Sequence, residues 1–188
     1  MGSPHTAGQA AIRPPFDPGA DADIDWLEAA CLGGMLAPGV QWELNAAAAA
    51  YRDDDVAEAH LQRAFLLAPE HPAVHIGLYR FYFYKNRLVE ALAVAERCLQ
   101  KAARDNAIAL DWRDVRAIHV DFSTYAALPR FYLFTLKACA YLHMRLGRIE
   151  TGEAMVDKLM ELDPADRIKG SVLRGVIARI GHEDDDYL

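Results

Sequence analysis

Apolar side chains recur every three or four positions through most of the chain, the spacing that places them on one face of an α-helix. Residues that are typical of helix starts occur within this pattern. Residues 25–28 and 55–58 form capping boxes, in which an Asp is followed three residues later by a Glu, and Pro72 suits a first helical position. Residues 85–87 and 146–148 separate apolar stretches, as the tight turns of helical hairpins do. No stretch alternates with the period of a strand, so the sequence predicts an all-α fold.

The two ends of the chain differ from the region between them. Residues 1–20 are rich in proline and glycine and indicate a flexible leader, and residues 183–188 form an acidic tail. Between these ends we expect a single domain, residues 21–182. Two further helices, near 24–36 and over 167–180, are expected to cap it. The apolar face of the C-terminal cap consists of Val172, Leu173, Val176, Ile177 and Ile180.

Residues of the same kind recur at an interval of 34 positions. This interval separates Leu44 from Leu78, Ala57 from Ala91 and Ala64 from Cys98. Small residues at one phase allow the two helices of a hairpin to approach closely. In this respect the sequence resembles the tetratricopeptide repeat (TPR) family, which has the same period, and the resemblance covers about 130 of the 188 residues.

The resemblance divides the chain into three repeats, over about residues 38–71, 72–105 and 133–166. The strongest match to the family runs from Leu146 to Pro164, in the third repeat. The TPR resemblance implies a short right-handed solenoid of helical hairpins with a capping helix at each end. At least three hairpins must stack, because a single hairpin cannot bury its own apolar face.

About 27 residues, 106–132, interrupt the array between the second and third repeats. This insert contains Trp112, Arg113 and Phe122, and a short helix is predicted over about 111–117. Long inserts in repeat proteins are usually functional or fill space. Three roles are open: a binding surface, a plug that packs in the groove, or a segment that moves over the groove as a lid.

The composition is that of an ordinary globular protein, with 53% apolar and 25% charged residues in a chain of 188. The formal net charge of −7 argues against a general nucleic-acid binder. No apolar run reaches the roughly 18 residues that a membrane helix needs. The charge is uneven, since residues 72–150 carry 12 basic and 7 acidic side chains, a net +5, which leaves −12 for the remainder. These basic residues either contribute to a partner-binding surface or pair with nearby acids.

No motif of a catalytic, phosphate-binding or cofactor site is present. Cys31, Cys98 and Cys139 lack the spacing of metal ligands or of a redox pair, and favour a reducing, cytoplasmic location. His71 and His75 have the i, i+4 spacing that can hold a metal, but His71 precedes the predicted helix and no third ligand is evident. We therefore expect no enzyme activity, no metal and no cofactor.

The TPR resemblance implies a protein partner, bound in the concave groove that the first helices of the repeats line. The residues that match the family's groove positions are Trp42, Ile76, Arg80, Phe83, Tyr84, Lys137, Tyr141, Met144 and Arg145, with Arg179 in the capping helix. Aromatic, methionine and cationic side chains of this kind are enriched at protein interfaces. As an alternative, Phe83 and Tyr84 pack beneath the insert. The Lys-x3-Asn pair of the chaperone-binding TPRs is absent.

Residues 128–138 and 162–167 also resemble small TPR proteins encoded with nitrogen-fixation genes in proteobacteria. That resemblance implies a non-catalytic accessory factor that binds the nitrogenase molybdenum-iron protein during its assembly or repair. A secretion chaperone that holds an unfolded client is the first alternative, although the repeats of such chaperones run without an insert. An enzyme or small-ligand protein that uses the insert as a lid is the second.

Overall fold

The computed structural model describes residues 35–124 and 126–183, and over these residues the chain is helical, with no strand. Seven α-helices follow one another: α1 Pro38–Ala49, α2 Asp54–Leu67, α3 Pro72–Tyr84, α4 Leu88–Asp105, α5 Ala127–Arg145, α6 Ile149–Leu162 and α7 Ser171–Glu183. The all-α prediction is confirmed for this part of the chain. The predicted leader, Cys31, the helix expected near 24–36 as far as residue 34, and the acidic tail from residue 184 lie outside the described residues.

Local chemistry sets the starts of the helices. Asp53 caps α2, because its Oδ1 accepts a hydrogen bond from the backbone N–H of Val56 at 3.2 Å. The capping box was therefore predicted two residues late, since Asp55 lies inside the first turn and complements the helix dipole there. Pro72 occupies the start of α3 as predicted, directly after the capping residue His71.

The predicted hairpin turns have a common geometry. Asn86 (φ 58°) closes α3 and Gly147 (φ 75°) closes α5, both in the left-handed region that glycine and asparagine adopt most readily. The N–H of the residue that follows bonds back to a carbonyl five residues earlier, at 2.8 Å after α3 and 2.9 Å after α5. These bonds satisfy carbonyls that the helix end leaves open, so both turns reverse the chain tightly.

The helices pack in chain order. Among the described residues, extensive helix–helix contact occurs between successive helices, from α1 on α2 through to α6 on α7. The contact is most extensive between α1 and α2, between α5 and α6, and between α4 and α5. It is less extensive between α2 and α3. Three helical hairpins, α1–α2, α3–α4 and α5–α6, therefore follow one another, with α7 against the last of them.

Helix α5 is the centre of the hydrophobic core. From Phe131 to Met144 every residue except Lys137 is buried. Helices α4 and α6 flank α5, and the insert adds further cover, since the ring of Phe122 lies 5.9 Å from that of Tyr132. A helix that is apolar on nearly all sides needs such cover on every side.

The insert is shorter than predicted. It spans residues 106–126, because α5 begins at Ala127 rather than near residue 133. The helix predicted over 111–117 is a 3-10 turn, Trp112–Asp114, and a second turn covers Phe122–Thr124. The buried face of α5 thus extends before the predicted repeat border, and the insert itself packs on this extension.

The C-terminal helix begins at Ser171, four residues after its predicted start. Leu173 and Val176 are buried as the apolar pattern predicts, but Val172 is exposed. Successive residues of a helix point about 100° apart, so Val172 and Leu173 cannot both face α6. The side chain of Ile180 lies outside the described part of the structure.

Candidate functional site

An open cavity of about 640 Å³ lies between α1 and α3, the first helices of the first two hairpins. From α1 it is lined by Gln41, Asn45 and Ala48, among others, and from α3 by Ile76 and Arg80. Its volume lies within the range of pockets that hold drug-sized ligands. We call this cavity the α1–α3 cleft.

A glycine allows the base of the cleft to close. A Cβ atom placed on Gly77 would lie 3.3 Å from Cδ2 of Leu61 and 3.4 Å from Cδ2 of Leu44. The shorter of these distances is tighter than most Cβ contacts, so a side chain at this position would require Leu61 to shift by a few tenths of an ångström. With hydrogen at this position, the two leucines can approach the backbone of α3 and give the cleft an apolar floor.

In the part of the chain that the structure describes, the lining of the cleft contains one cationic arginine and no acidic side chain. The half-buried Arg80 makes no hydrogen bond or ion pair with any residue that the structure describes. On the opposite wall, Nε2 of Gln41 donates to Oδ1 of Asn45 at 3.0 Å. A guanidinium without a carboxylate partner gives the cleft a positive charge, so the cleft favours an anionic group.

The neighbouring cations are paired within the protein. The Lys85 ammonium lies 2.6 Å from Oδ1 of Asp54, donates to the backbone carbonyl of Tyr51 at 2.9 Å, and stands 4.2 Å above the Tyr51 ring. This lysine follows α3 while its partners lie at the turn between α1 and α2. The contacts therefore tie the first two hairpins together at one end of the cleft.

A second set of contacts joins the same two hairpins. Arg87 pairs with Glu58 and with Glu90, and the hydroxyl of Tyr82 donates to Oε1 of Glu58 at 2.9 Å. The hydrogen bonds from Arg87 hold the pKa of the Glu58 carboxyl below its usual value, against the opposite effect of partial burial. The geometry around the cleft is thus fixed by charged groups that are already paired.

Three of the predicted groove residues line the cleft together. Ile76, Arg80 and Tyr84 succeed one another at four-residue intervals along one face of α3. Trp42 is not part of the lining, because it is 61% exposed and its ring packs edge-on against His60 of α2, with centroids 5.5 Å apart.

Sequence reasoning missed the residues that α1 contributes, Gln41, Asn45 and Ala48. A comparison of positions one repeat length apart identifies residues on the same face of equivalent helices. Two helices that border a cleft turn different faces towards it, so this comparison does not identify the residues that α1 contributes. The available signal was a pair of amide side chains one helical turn apart, next to a run of alanines.

Phe83 forms an aromatic cluster instead of packing under the insert. Its ring stacks on Tyr79 at 5.7 Å and lies 6.0 Å from the ring of Tyr141. Tyr141 is buried, and its hydroxyl accepts a hydrogen bond from the exposed Arg145 at 2.9 Å. This cluster joins α3 to α5, so the role of Tyr141 in the described structure is packing.

The remaining predicted groove residues are dispersed. The ammonium of Lys137 donates to the backbone carbonyl of Ile168 at 2.6 Å. Met144 is buried against Gly152 of α6, and Arg179 is exposed on α7. None of these three side chains lines the α1–α3 cleft.

The insert packs on the third hairpin. Arg113 is exposed, lies 4.4 Å over the half-buried ring of Trp112, and pairs with Asp111. Phe122 is buried, and the Lys158 ammonium of α6 donates to a backbone carbonyl of the insert at 3.1 Å. None of the described insert residues lines the cleft, so none of them fills this cavity.

The described residues show neither a metal-binding cluster nor an ionised thiol. They contain no group of three or more His, Cys, Asp or Glu side chains that could hold a metal ion. Burial raises the pKa of the Cys98 thiol to about 12 and also raises that of Cys139, so both thiols are protonated at neutral pH.

No helix within the described ranges has the length and apolar composition of a membrane-spanning segment.

Comparison with known proteins identifies a relative. No protein-family model matches the sequence, and no solved structure matches it. The chain is 39% identical over 127 residues to the uncharacterized 19.8 kDa protein in the nifW 5′ region of Azotobacter chroococcum mcd 1, an alignment that covers 66% of this chain and 71% of the relative. The chain belongs to the same family as this Azotobacter protein.

Proposed function

We propose that this protein is a non-catalytic accessory factor of nitrogen fixation that binds another protein through a short TPR-like array. The partner that we propose is the nitrogenase molybdenum-iron protein, bound during its assembly or repair. The binding site is the α1–α3 cleft, where the first helices of two hairpins leave an open cavity and Arg80 has no partner among the residues that the structure describes.

The cleft is the observation that carries this proposal. A cavity whose described lining has an apolar floor and a single cationic arginine suits the side chains of a partner, since buried apolar anchors and arginines dominate protein interfaces. The cleft is also held open by contacts made elsewhere, between Lys85 and Asp54 and between Arg87 and Glu58. A preformed site avoids the cost of ordering on binding.

The packing order of the helices supports the TPR-like array. Helices that contact their neighbours in chain order form a linear stack, which is the arrangement of repeat proteins. The closed four-helix bundle, in contrast, brings its first and last helices together. The left-handed residues that close α3 and α5 give two hairpins the same tight turn, as a repeat requires.

The relative supports the link to nitrogen fixation. Its name places it in the nifW 5′ region, and the alignment with this chain covers 71% of its length. The resemblance of residues 128–138 and 162–167 to TPR proteins encoded with nitrogen-fixation genes points to the same process.

Capture from nitrogen-fixing cells tests the proposal. We would use the tagged full chain and two variants on neighbouring exposed alanines of α1. Ala48→Trp fills the cleft, whereas Ala49→Trp adds the same side chain outside its lining. We expect the wild type and Ala49→Trp to capture the molybdenum-iron protein, identified by mass spectrometry, and Ala48→Trp to lose it.

Two results would contradict the proposal. Equal capture by both tryptophan variants would show that the partner does not bind at the cleft. Absence of the molybdenum-iron protein from the wild-type capture, in cells that contain it, would overturn the named partner.

A further inference from the structure

We infer that the α1–α3 cleft recognises an extended peptide segment of its partner in which one Asp or Glu lies between two apolar residues, spaced apolar-x-acid-x-apolar. The inference rests on the proposed function, because it names the chemistry of the segment that the cleft would hold. The acid pairs with Arg80, and the apolar side chains lie on either side of it, next to Ile76 and Tyr84.

The charge of the cleft favours an acidic group in the ligand. Among the described residues, the half-buried Arg80 has no ion-pair or hydrogen-bond partner, and those that line the cleft include no carboxylate. In contrast, Lys85 and Arg87, which follow on the same hairpin, are paired with Asp54 and Glu58. A partly desolvated guanidinium without a counter-charge is unfavourable, and a carboxylate satisfies it with two parallel hydrogen bonds.

The spacing along α3 sets the spacing of the ligand. Ile76, Arg80 and Tyr84 are four residues apart, so each step along the helix axis is about 6 Å. Alternate residues of an extended chain are separated by about 6.6 Å and point to the same side. An extended peptide therefore presents an apolar residue, an acid and an apolar residue in register with these three side chains.

The opposite wall can bind the backbone of such a segment. An extended peptide leaves its N–H and C=O groups without internal hydrogen bonds. Gln41 and Asn45 form one hydrogen bond with each other, which leaves the Oε1 of Gln41 as an acceptor and the Nδ2 of Asn45 as a donor. Side-chain amides can hydrogen-bond to the backbone of any peptide, so the preference for a particular peptide sequence depends on Arg80 and on the apolar positions.

Selection from a library of random peptides tests the inference without knowledge of the partner. Phage that display random twelve-residue peptides would be selected on the immobilised full chain and on Arg80→Glu. As a matched control, Arg179→Glu makes the same charge change at an exposed arginine outside the cleft. We expect the wild type and Arg179→Glu to enrich peptides with the apolar-x-acid-x-apolar spacing, and Arg80→Glu to lose them.

Affinities of a selected peptide sharpen the test. Replacement of its acid by the matching amide is expected to weaken binding to the wild type about tenfold, the typical effect of one hydrogen-bonded charge. The same replacement is expected to change binding to Arg80→Gln by less than about twofold, since the guanidinium is then missing.

The outcomes separate this inference from the proposed function. Enriched peptides without an acid, the same peptides on Arg80→Glu as on the wild type, or no enrichment at all would overturn the inference. If Ala48→Trp loses the partner but the selected peptides contain no acidic residue, the proposed function stands and the inference of an acidic residue in the ligand is refuted. Acid-dependent peptides without capture of the molybdenum-iron protein would support the inference and refute the named partner.

Discussion

The ammonium of Lys137 donates a hydrogen bond to the backbone carbonyl of Ile168, with a distance of 2.6 Å between the two atoms. Lys137 lies in the middle of α5, and Ile168 is a buried residue between α6 and α7. The bond joins the central helix of the core to the segment that leads into the C-terminal helix. It gives this lysine a structural role.

Replacement of Lys137 tests that role. Lys137→Met keeps most of the side-chain stem and removes the ammonium, so we expect the free energy of unfolding to fall by about 1–2 kcal/mol, the contribution of a hydrogen bond from a charged donor. Urea unfolding measures this change, and Arg179→Met at an exposed position serves as the control. Binding of a library-selected peptide should be unchanged, and loss of that binding in a folded Lys137→Met would contradict the assignment.

Gly152 marks a close approach of α6 to α5. A Cβ atom at this position would lie 2.5 Å from Cγ of Met144 and 3.0 Å from the carbonyl oxygen of Ala140. We expect Gly152→Ala to lower the free energy of unfolding by about 1–3 kcal/mol, because the two helices must move apart. Gly175→Ala is the matched control, since nothing lies within 4 Å of its added methyl group. In α7 this change should stabilise by about 0.5–1 kcal/mol, and equal effects at the two glycines would refute the close packing.

The insert is expected to support the third hairpin rather than the cleft. Phe122 is buried against Tyr132, so Phe122→Ala should lower the free energy of unfolding by about 3 kcal/mol. Ile118, which is 90% exposed, provides a control within the same insert, and Ile118→Ala should change stability by less than about 0.5 kcal/mol. Neither variant, measured below its unfolding transition, should alter the affinity of a cleft-binding peptide. A selective loss of that affinity would restore the insert as a lid.

Glu58 is expected to make stability depend on pH in the acid range. Hydrogen bonds from Arg87 lower the pKa of Glu58 in the folded protein below its ordinary value of 4.5. A lowered folded-state pKa contributes stability that is fully present above the unfolded pKa and is lost as the pH falls through the folded one. We expect Glu58→Gln to lower the free energy of unfolding by about 1 kcal/mol at pH 7, and by less as the pH falls below 4.5.

Urea unfolding at a series of pH values measures this difference. Glu153→Gln changes an exposed carboxylate of α6 that makes no ion pair with a described residue, and should leave the pH profile unaltered. Parallel profiles for the wild type and Glu58→Gln would show that the contact with Arg87 contributes nothing.

Structural features that depend only on residues close together in the chain were predictable from the sequence. Pro72 begins α3 and Gly147 closes α5 because the permitted backbone angles of proline and glycine act locally. The start of α5 was predicted too late, because its first turns pack against the insert, where the ring of Phe122 lies 5.9 Å from that of Tyr132, and this contact is not visible in the local sequence. The cap of α2 was placed on Asp55 rather than Asp53, because neighbouring acids in one run satisfy the capping pattern almost equally well.

The candidate site was also predictable only in part from the sequence. The groove positions implied by the TPR resemblance included Ile76, Arg80 and Tyr84, and the structure brings all three to the cleft. The same carry-over assigned Trp42 and Lys137 to the groove, although one packs on His60 and the other bonds to Ile168. Positions in a repeat indicate which helix face is exposed, but not which neighbouring groups already occupy it.

By itself, the sequence determined the helices, the tight turns between them and the presence of an insert, because these follow from hydrophobic spacing and from the backbone limits of single residues. Only the tertiary structure decided which face of α1 borders the cleft and where the insert packs. It also decided that, within the described ranges, Arg80 has no partner whereas Arg87 pairs with Glu58 and Glu90. Charge pairing and gaps between helices depend on residues that are distant in the chain, and no local pattern encodes their distances.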